Sequence, residues 1–138
     1  MASPDNCPFC EIIKNDPPPH CIYEDSRFIV ILDRESMGLG HCLIIPRRHV
    51  SKIYELDNNV YNELFKVAKR LSNILKKLDN VRSVAYVASG SGVQHVHLHL
   101  VPHNDPDVLM NPLNYIKKLD GNELAEKGKF IRDFIKQN

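Results

Sequence analysis

QHVHLHLVPH, residues 94–103, is the stretch that decides the fold. Histidine alternates with aliphatic residues from His95 to Val101. Successive side chains of a β-strand point to opposite faces, so the alternation predicts a strand over 95–101 with three histidines on one face and aliphatic side chains on the other. Histidines two residues apart on such a strand lie about 6.6 Å from one another. Three imidazoles at that spacing can share one phosphate group or one metal ion.

Two other interpretations of this strand stay open. A half-exposed strand can carry histidines on its polar face without any chemical role, although three in strict alternation after a glycine-rich loop argue against it. A catalytic zinc site is the sharper alternative, because such sites use three protein nitrogens and keep one position open. However, neighbours on one extended strand rarely converge on a single ion without a ligand from another element.

The rest of the chain combines short apolar runs with two helical patterns. The longer helix is predicted at 58–78, with Asp57 as its N-cap and one apolar stripe at three- and four-residue spacing. A closing helix is predicted at 122–136, weakened by Gly128. Strands are predicted at 21–23, 28–32, 42–45, 83–88 and 95–101. Antiparallel strands with one inserted and one closing helix indicate a single α+β domain over residues 1–138.

Composition and charge narrow the class of protein. The 138 residues carry 18 basic and 17 acidic side chains, a net charge of +1, so no broad positive field is available for a long nucleic acid. The sequence shows neither a secretory signal nor an apolar run of about 18 residues, and we expect no membrane span. The expected location is the cytoplasm, with the nucleus as a second compartment if the source is a eukaryote. There, the four cysteines are thiols or metal ligands rather than disulfides.

Cys7-Pro8-Phe9-Cys10 is a thiol pair with the spacing of half a tetrahedral zinc site. A redox role would require a thioredoxin-like strand before the pair, which the first ten residues do not provide. Two further ligands are then needed, and spacing alone leaves five histidines open: His20, His41, His49, His95 and His103. The other two cysteines, Cys21 and Cys42, lie in apolar runs and are predicted to be small buried hydrophobic residues.

Three upstream segments accompany the histidine strand: Tyr23-Glu24-Asp25, Ile31-Leu32-Asp33, and Gly40-His41-Cys42-Leu43-Ile44-Ile45-Pro46-Arg47-Arg48-His49-Val50. With the strand itself they resemble, in order and spacing, the histidine triad (HIT) superfamily, and within it the zinc-containing, nucleoside phosphoramidase-like branch. The resemblance covers about residues 7–103 and fades over 104–138, a C-terminal loop and helix. It implies a five-stranded antiparallel meander sheet with one long inserted helix and a C-terminal helix. It also implies a homodimer that pairs through the long helix and a strand.

The resemblance further implies the chemistry of the site. The middle histidine, His97, attacks the α-phosphorus of a nucleoside monophosphate derivative, and His99 and His41 contact the phosphate oxygens and the leaving group. The attack is chemically reasonable because free imidazole has a pKa of about 6.5 and is largely neutral at pH 7. A covalent nucleotidyl-histidine divides one displacement into two. Backbone N–H groups for the same oxygens come from the loop before the triad: Gly90, Ser91, Gly92 and Val93.

Ligands for the nucleotide and for a metal follow from the same resemblance. Asp33 binds the ribose hydroxyls, and an apolar slot for a purine base is walled by Phe9, Ile12 and Ile31. Spacing alone does not distinguish a base slot from ordinary core packing of the three apolar residues. It also leaves open that Asp33 is a turn residue at a strand end and that His41 is a buried structural residue. A closed structural Zn²⁺ site is implied at four residues: Cys7, Cys10, His49 and His95.

One departure from the family pattern bears on activity. The family usually has Gly-Gln-Ser/Thr-Val before the triad, whereas this chain has Gly90-Ser91-Gly92-Val93, so a hydroxyl is missing at Gly92. Three functions therefore compete. They are a phosphoramidase that releases AMP, a dinucleoside polyphosphate hydrolase of the same fold, and a zinc-stabilised nucleotide-binding protein with vestigial catalysis. In the C-terminal part, the loop 105–113 is expected to border the leaving-group site.

Overall fold

The computed structural model describes residues 6–138, so the first five residues of the predicted domain 1–138 lie outside it. Within this range the elements are α1 Pro8–Lys14, β1 Cys21–Glu24, β2 Phe28–Leu32, β3 Glu35–Ser36, β4 Cys42–Pro46, α2 Asn58–Leu75, β5 Ser83–Val87, β6 Leu98–His103, α3 Asp107–Met110, β7 Lys117–Lys118 and α4 Gly121–Gln137. Short 3-10 turns lie at Ile53–Glu55 and Pro112–Asn114. No helix formed by residues 6–138 combines the length and the apolar character that a membrane crossing requires.

Five strands form one antiparallel sheet in the order β1-β2-β4-β6-β5. This confirms the predicted α+β fold with a five-stranded antiparallel sheet, one long helix and a closing helix. The predicted meander is wrong at its last step, because β6 lies between β4 and β5. The chain leaves β4, runs through α2 over one face of the sheet and begins β5 at the outer edge, so β6 returns into the position beside β4. β3 and β7 form a separate two-stranded ribbon.

Both faces of the sheet are covered, which explains the continuous apolar runs of β2 and β4. All five residues of each of these strands are buried. On one face Phe28, Val30 and Ile44 pack with α2 and α4 in the main core. On the other face Ile29 and Ile31 pack against α1 in a second, smaller cluster. The sheet therefore separates the main core from the α1 side, where the histidines lie.

The long helix α2 begins where the sequence predicts and ends earlier. The Asp57 carboxylate accepts a hydrogen bond from the Val60 N–H and caps the helix. The helix stops at Leu75, and the chain then turns through Asn80, whose φ of 65° lies in the left-handed region. Leu78 is nevertheless buried. The apolar periodicity therefore marks Leu78 correctly as core, although it lies beyond the helix.

The closing helix α4 packs closely on the segment before β1. It begins with a capping box in which Asp120 and Glu123 each accept a hydrogen bond from the other's backbone N–H. A Cβ at Gly128 would lie 2.5 Å from the Pro19 carbonyl oxygen and 2.7 Å from the His20 Cα. Gly128 thus permits the close approach of α4, and this contact offsets the weakening predicted from its helix propensity.

The histidine strand β6 begins at Leu98 and ends at His103, whereas the alternation predicts 95–101. The start is delayed because the chain at Val96 bonds to another segment, through its N–H and the Val50 carbonyl oxygen. Pro102 stays within the strand, although it lies one residue beyond the predicted end. β4 pairs with β6 only as far as Leu100, so no β4 partner requires the N–H that Pro102 lacks.

Candidate active site and metal centre

The three triad histidines lie on the side of the sheet that α1 covers. The aliphatic residues that alternate with them belong to the main core: Val96, Leu98 and Leu100. Alternation then turns His95, His97 and His99 to the opposite side. There the Phe9 ring of α1 makes edge contacts, with centroid separations of 5.0 Å to His97 and 5.9 Å to His95. The alternation persists although the regular strand begins only at Leu98.

The backbone holds His97 in one tautomer. Its Nδ1 atom lies 2.8 Å from the backbone oxygen of His95. A carbonyl oxygen can only accept a hydrogen bond, so Nδ1 carries the ring proton and Nε2 carries the lone pair. His97 lines a cavity of about 100 Å³ together with Lys52, Tyr54 and Gly90. The ring is therefore oriented, and its Nε2 atom has the electronic form of a nucleophile.

His41 and His99 form a pair of neutral imidazoles. The Met37 N–H donates to Nδ1 of His41 at 3.0 Å, so the proton of His41 is on Nε2, which lies 3.0 Å from Nδ1 of His99. His99 must then carry its own proton on Nε2. Burial lowers the pKa of His41 to about 4. Burial, followed by the nearby His41 and His97, lowers the pKa of His99 to about 4. His99 therefore offers an N–H donor on a ring whose centroid is 5.3 Å from that of His97.

Asp33 lies beside this pair at the end of β2. One carboxylate oxygen, Oδ2, is 3.5 Å from Nε2 of His41 and 3.7 Å from Nδ1 of His99. The other, Oδ1, accepts the Glu35 N–H at 2.9 Å. Burial raises the pKa of Asp33, although the Glu35 N–H and His99 act in the opposite direction. Asp33 is thus both the turn residue that the sequence allowed and a neighbour of two predicted catalytic histidines.

A cluster of sulfur and nitrogen atoms forms at the start of α1 from four side chains: Cys7, Cys10, His49 and His95. Their ligand atoms all lie within 4.8 Å of one another. Nδ1 of His95 is 3.4 Å from the Cys7 sulfur and 3.5 Å from the Cys10 sulfur. Nδ1 of His49 is 3.3 Å from the Cys10 sulfur and 3.2 Å from Nδ1 of His95. Zinc bonds of about 2.0 Å to nitrogen and about 2.3 Å to sulfur give tetrahedral edges of about 3.3 Å between two nitrogens and about 3.5 Å between nitrogen and sulfur, and the separations of these atoms fit such a site.

The donor chemistry of the cluster also fits a cation. Nε2 of His95 lies 2.7 Å from the Pro46 carbonyl oxygen and therefore holds the ring proton, which directs the Nδ1 lone pair at the thiols. Burial and the neighbouring Cys7 raise the pKa of the Cys10 thiol to about 11. Two adjacent thiolates require a positive ion between them. Of the five histidines that spacing leaves open, the structure brings His49 and His95 to the cysteine pair.

The residues predicted to form a base slot lie together on the α1 side. Phe9 and Ile31 are buried in the smaller cluster, and Ile12 and Val93 are half-buried against it. The same cluster contains Leu43 and Ile45 of β4. The slot residues are therefore part of a core, and they also lie next to the His97 ring through Phe9.

The loop before the triad contains two glycines in the left-handed region, Gly90 with φ of 73° and Gly92 with φ of 78°. A Cβ at Gly92 would have no heavy atom within 4 Å, so the space is open while the backbone is unfavourable for other residues. The Ser91 N–H and side chain both contact the Ser89 hydroxyl. The loop thus bonds to itself, and no hydroxyl stands at position 92.

The sequence matches the family model of the HIT domain over residues 14–105. This chain belongs to the HIT domain family. The matched range contains His41, His49 and the whole triad, and it leaves Cys7 and Cys10 before its start.

Relatives of this HIT domain differ in the activities that their names describe. An uncharacterized HIT-like protein of Borreliella burgdorferi is 32% identical over 104 residues, 70% of this chain and 75% of that protein. An adenosine 5'-monophosphoramidase of Candida albicans is 32% identical over 114 residues, 76% of this chain and 75% of the yeast protein. An adenylylsulfatase of Arabidopsis thaliana is 30% identical over 109 residues, 75% of this chain and 55% of the plant protein.

Solved structures agree with the fold of this HIT domain. A zinc-bound histidine triad family protein of Mycobacterium smegmatis superimposes with a TM-score of 0.79 at 25% identity, covering 98% of this chain and 96% of the other. A hypothetical histidine triad nucleotide-binding protein of Sulfolobus tokodaii gives a TM-score of 0.77 at 30% identity, covering 95% and 93%.

Two groups of residues near the histidines escape prediction from the sequence. Lys52 donates from Nζ to the Gly90 carbonyl oxygen at 2.5 Å, across 38 positions of sequence. The C-terminal part contributes Tyr115 and Lys117 to a cavity of about 240 Å³ that includes Asp33 and His41. The predicted border from 105–113 lines neither this cavity nor the one beside His97. No spacing pattern in the sequence links these side chains to the triad, because only the tertiary structure brings them close to it.

Proposed function

We propose that this HIT domain is a nucleotidyl hydrolase or transferase of the zinc-containing, phosphoramidase-like branch, acting on AMP derivatives that include phosphoramidates. In the reaction, His97 attacks the α-phosphorus and AMP is released from a covalent nucleotidyl-histidine. The hydrogen bond from His97 to the backbone oxygen of His95 carries the proposal, because it places the lone pair on Nε2. Relatives named for AMP phosphoramidate and adenylyl sulfate hydrolysis support an AMP moiety as the common part of the substrate.

The two steps balance with the tautomers described above. In the first, the Nε2 lone pair of His97 forms the N–P bond, the bond from phosphorus to the leaving group breaks, and the leaving group keeps the electron pair. An amine leaving group takes up a proton from water as it departs, while His99 keeps its ring proton and donates a hydrogen bond to the leaving atom from Nε2. In the second step water attacks phosphorus and releases its proton to the solvent, and the N–P bond returns its electron pair to His97.

The nucleotide would be held by the residues that surround the histidines. Asp33 would accept hydrogen bonds from the ribose hydroxyls, and Phe9, Ile12 and Ile31 would border the base. N–H groups of the loop from Gly90 to Val93 would stabilise the phosphate oxygens, a contribution that is worth about a hundred- to a thousand-fold in rate per donor in other enzymes.

A Zn²⁺ ion would be held by Cys7, Cys10, His49 and His95 as a structural ion, joining α1 to the residues before β6. When bound, it supplies a positive charge that keeps both thiols ionised and crosslinks the two segments. It takes no part in the two chemical steps. Cysteines that bind a metal and form no disulfide are consistent with a reducing compartment, and we propose the cytoplasm.

Pairing into a homodimer would use β5, which is an edge strand of the sheet. Beside it lie aromatic residues that are partly exposed on α2 and on the strand: Tyr61, Phe65 and Tyr86. An unpaired strand edge flanked by an aromatic patch is a surface that a second copy can cover.

Trapping of the intermediate tests the proposal. The protein is mixed with adenosine 5'-phosphoramidate, quenched without acid and measured by intact mass, as wild type, His97→Ala and His103→Gln. We expect an AMP adduct or AMP release for the wild type and for His103→Gln, which changes a histidine at the far end of β6, and neither for His97→Ala. An adduct or turnover that survives His97→Ala would refute His97 as the nucleophile.

Gly92 favours a second candidate, a zinc-stabilised nucleotide-binding protein with vestigial catalysis. The missing hydroxyl removes one donor to the phosphate or leaving group. This candidate predicts AMP binding that survives His97→Ala, together with no adduct in the wild type. A panel that adds diadenosine tri- and tetraphosphate to the phosphoramidate distinguishes the third candidate, a dinucleoside polyphosphate hydrolase, by the substrate with the highest kcat/KM.

A further inference from the structure

A lysine lies at the wall of the cavity beside the nucleophile. Lys52 follows the segment of His49, and its side chain extends to the loop before the triad, where Nζ donates to the Gly90 carbonyl oxygen at 2.5 Å. The same cavity is lined by His97, Tyr54 and Ser89. Because His97 and Lys52 line one cavity, a leaving group that departs from phosphorus into this cavity would meet Lys52.

The positive charge of Lys52 is not neutralised by its partner. The Gly90 carbonyl is a neutral acceptor, and it uses only one of the three donors of an ammonium group. Within residues 6–138, no carboxylate oxygen lies within 4.0 Å of Nζ of Lys52; the nearby Glu55 instead accepts the backbone N–H of Lys52 at 3.0 Å. A half-buried cation with two free donors therefore faces the cavity.

The loop that Lys52 contacts has no side-chain donor at Gly92. An amine leaves phosphorus only after it gains a proton, so its departure depends on a proton source and gains little from a fixed cation. A sulfate or a phosphate leaves as an anion and needs no proton, and its developing charge is stabilised by a fixed cation. The combination of Lys52 with Gly92 thus favours one class of leaving group over the other.

We propose that Lys52 is a specificity-determining residue that favours leaving groups carrying negative charge, such as sulfate, phosphate or a nucleoside polyphosphate, over neutral amines. This inference rests on the proposed function, since it assumes attack by His97 on the α-phosphorus. In the step, the N–P bond forms at His97 Nε2, the P–O bond to the leaving group breaks, and that oxygen keeps the electron pair as part of the anion. Lys52 donates a hydrogen bond to this anion and exchanges no proton with it.

Two substrates that share AMP test the inference: adenosine 5'-phosphosulfate, with an anionic leaving group, and adenosine 5'-phosphoramidate. Lys52→Gln should lower kcat/KM for the phosphosulfate by at least about 10-fold, because removing one preorganised donor to a developing anion costs up to about a thousand-fold in other enzymes. The phosphoramidate should change by less than about threefold. Lys52→Arg should keep most of the phosphosulfate activity, and Lys66→Gln, on the exposed face of α2, should change neither substrate.

Comparing the two substrates separates the leaving group from the α-phosphate, which both contain. Equal losses on both substrates would mean that Lys52 binds the α-phosphate, and no loss on the phosphosulfate would mean that it contacts neither; either result overturns the inference. An absence of wild-type adduct with both substrates would refute the proposed function instead. In that case the ratio of the two Kd values, measured in His97→Ala with and without Lys52→Gln, decides the role of Lys52, and an unchanged ratio overturns it.

Discussion

The backbone oxygen of His95 accepts the hydrogen bond from Nδ1 of His97 at 2.8 Å, while the His95 side chain lies in the cysteine–histidine cluster, with Nδ1 3.4 Å from the Cys7 sulfur. One residue therefore connects the candidate metal centre to the candidate nucleophile. A shift of the His95 side chain would move the carbonyl group that sets the tautomer of His97. Occupancy of the candidate metal centre should consequently affect the proposed activity, although the ion would take no part in the two chemical steps.

We expect Cys10→Ser to reduce bound zinc from about one ion per chain to a small fraction, because thiolate is the stronger zinc ligand. The loss of one ligand should lower the melting temperature by at least about 5 °C. It should also lower kcat, because a displaced His95 carbonyl group would no longer orient the His97 ring. Elemental analysis of tag-free protein and thermal unfolding measure both effects.

The control is Cys21→Ser, since the Cys21 thiol contacts the Tyr23 carbonyl oxygen, which a serine hydroxyl can also reach. This variant should retain its zinc. Wild-type protein with well under one zinc per chain, and unchanged stability in a chelator, would argue that the cluster is a set of unliganded thiols.

Sequence patterns with a short period predict much of this structure. The alternation of His95, His97 and His99 with aliphatic residues assigns the faces correctly, because side-chain direction in an extended chain is set locally. The apolar stripe predicted for the long helix likewise identifies core residues, including Leu78 beyond the end of α2. The element ends and the strand order are not local properties. They depend on where α2 directs the chain, and a sequence pattern contains no such information.

The candidate site likewise has residues that the sequence predicts and contacts that it does not. His41 and His49 are recognisable from their position around a strand that ends in Pro46, because the family segment includes both. By contrast, the tautomer of His41 depends on the Met37 N–H, and the reach of Lys52 depends on a loop 38 residues away. Contacts of this kind arise from tertiary structure, so the sequence does not reveal them.

Gly128→Ala should destabilise the protein. An added Cβ would lie 2.5 Å from the Pro19 carbonyl oxygen, and backbone cannot move aside as a flexible side chain can. The expected decrease in the free energy of unfolding is about 1 to 3 kcal/mol, despite the higher helix propensity of alanine. Gly121→Ala is the matched control in the same helix, because a Cβ there meets nothing within 4 Å. Urea unfolding that ranks the two variants equally would contradict the packing role of Gly128.

Asp33→Asn should weaken ribonucleotide binding selectively. If the carboxylate accepts hydrogen bonds from ribose hydroxyls, the Kd for AMP should rise by about 10-fold, as expected for a hydrogen bond to a charged group. The Kd for 2',3'-dideoxy-AMP should change little, because this ligand lacks the hydroxyls. Calorimetry with both ligands provides the comparison. Equal effects on the two would assign Asp33 to its histidine neighbours, whose nitrogens lie 3.5 Å and 3.7 Å from Oδ2.

Tyr86→Lys should shift the protein from dimer to monomer. Tyr86 lies on the edge strand β5 and is 43% exposed, and a charge there would be buried without a partner in a paired edge. Light scattering should give twice the 15.8 kDa chain mass for the wild type and a mass near 15.8 kDa for the variant. Phe130→Lys, on the exposed side of α4, is the control and should remain dimeric. A monomeric wild type would disprove the proposed pairing.

The buried imidazole of His41 should make the protein less stable in acid. Its pKa is about 4 in the folded protein, against an ordinary value of 6.5. Between these two values the unfolded chain binds more protons than the folded one, so the free energy of unfolding falls as the pH falls from about 6.5 to about 4. At about 1.4 kcal/mol per pKa unit, His41 alone accounts for a decrease of about 3 kcal/mol.

Urea unfolding at pH 7.0 and 4.5 should therefore show a larger decrease in the free energy of unfolding for the wild type than for His41→Asn. Carboxylate titration and any release of metal affect both proteins, so the difference between the two pH profiles isolates the imidazole. Parallel profiles would mean that His41 already takes up its proton in the folded state, and the neutral pairing with His99 would then be wrong.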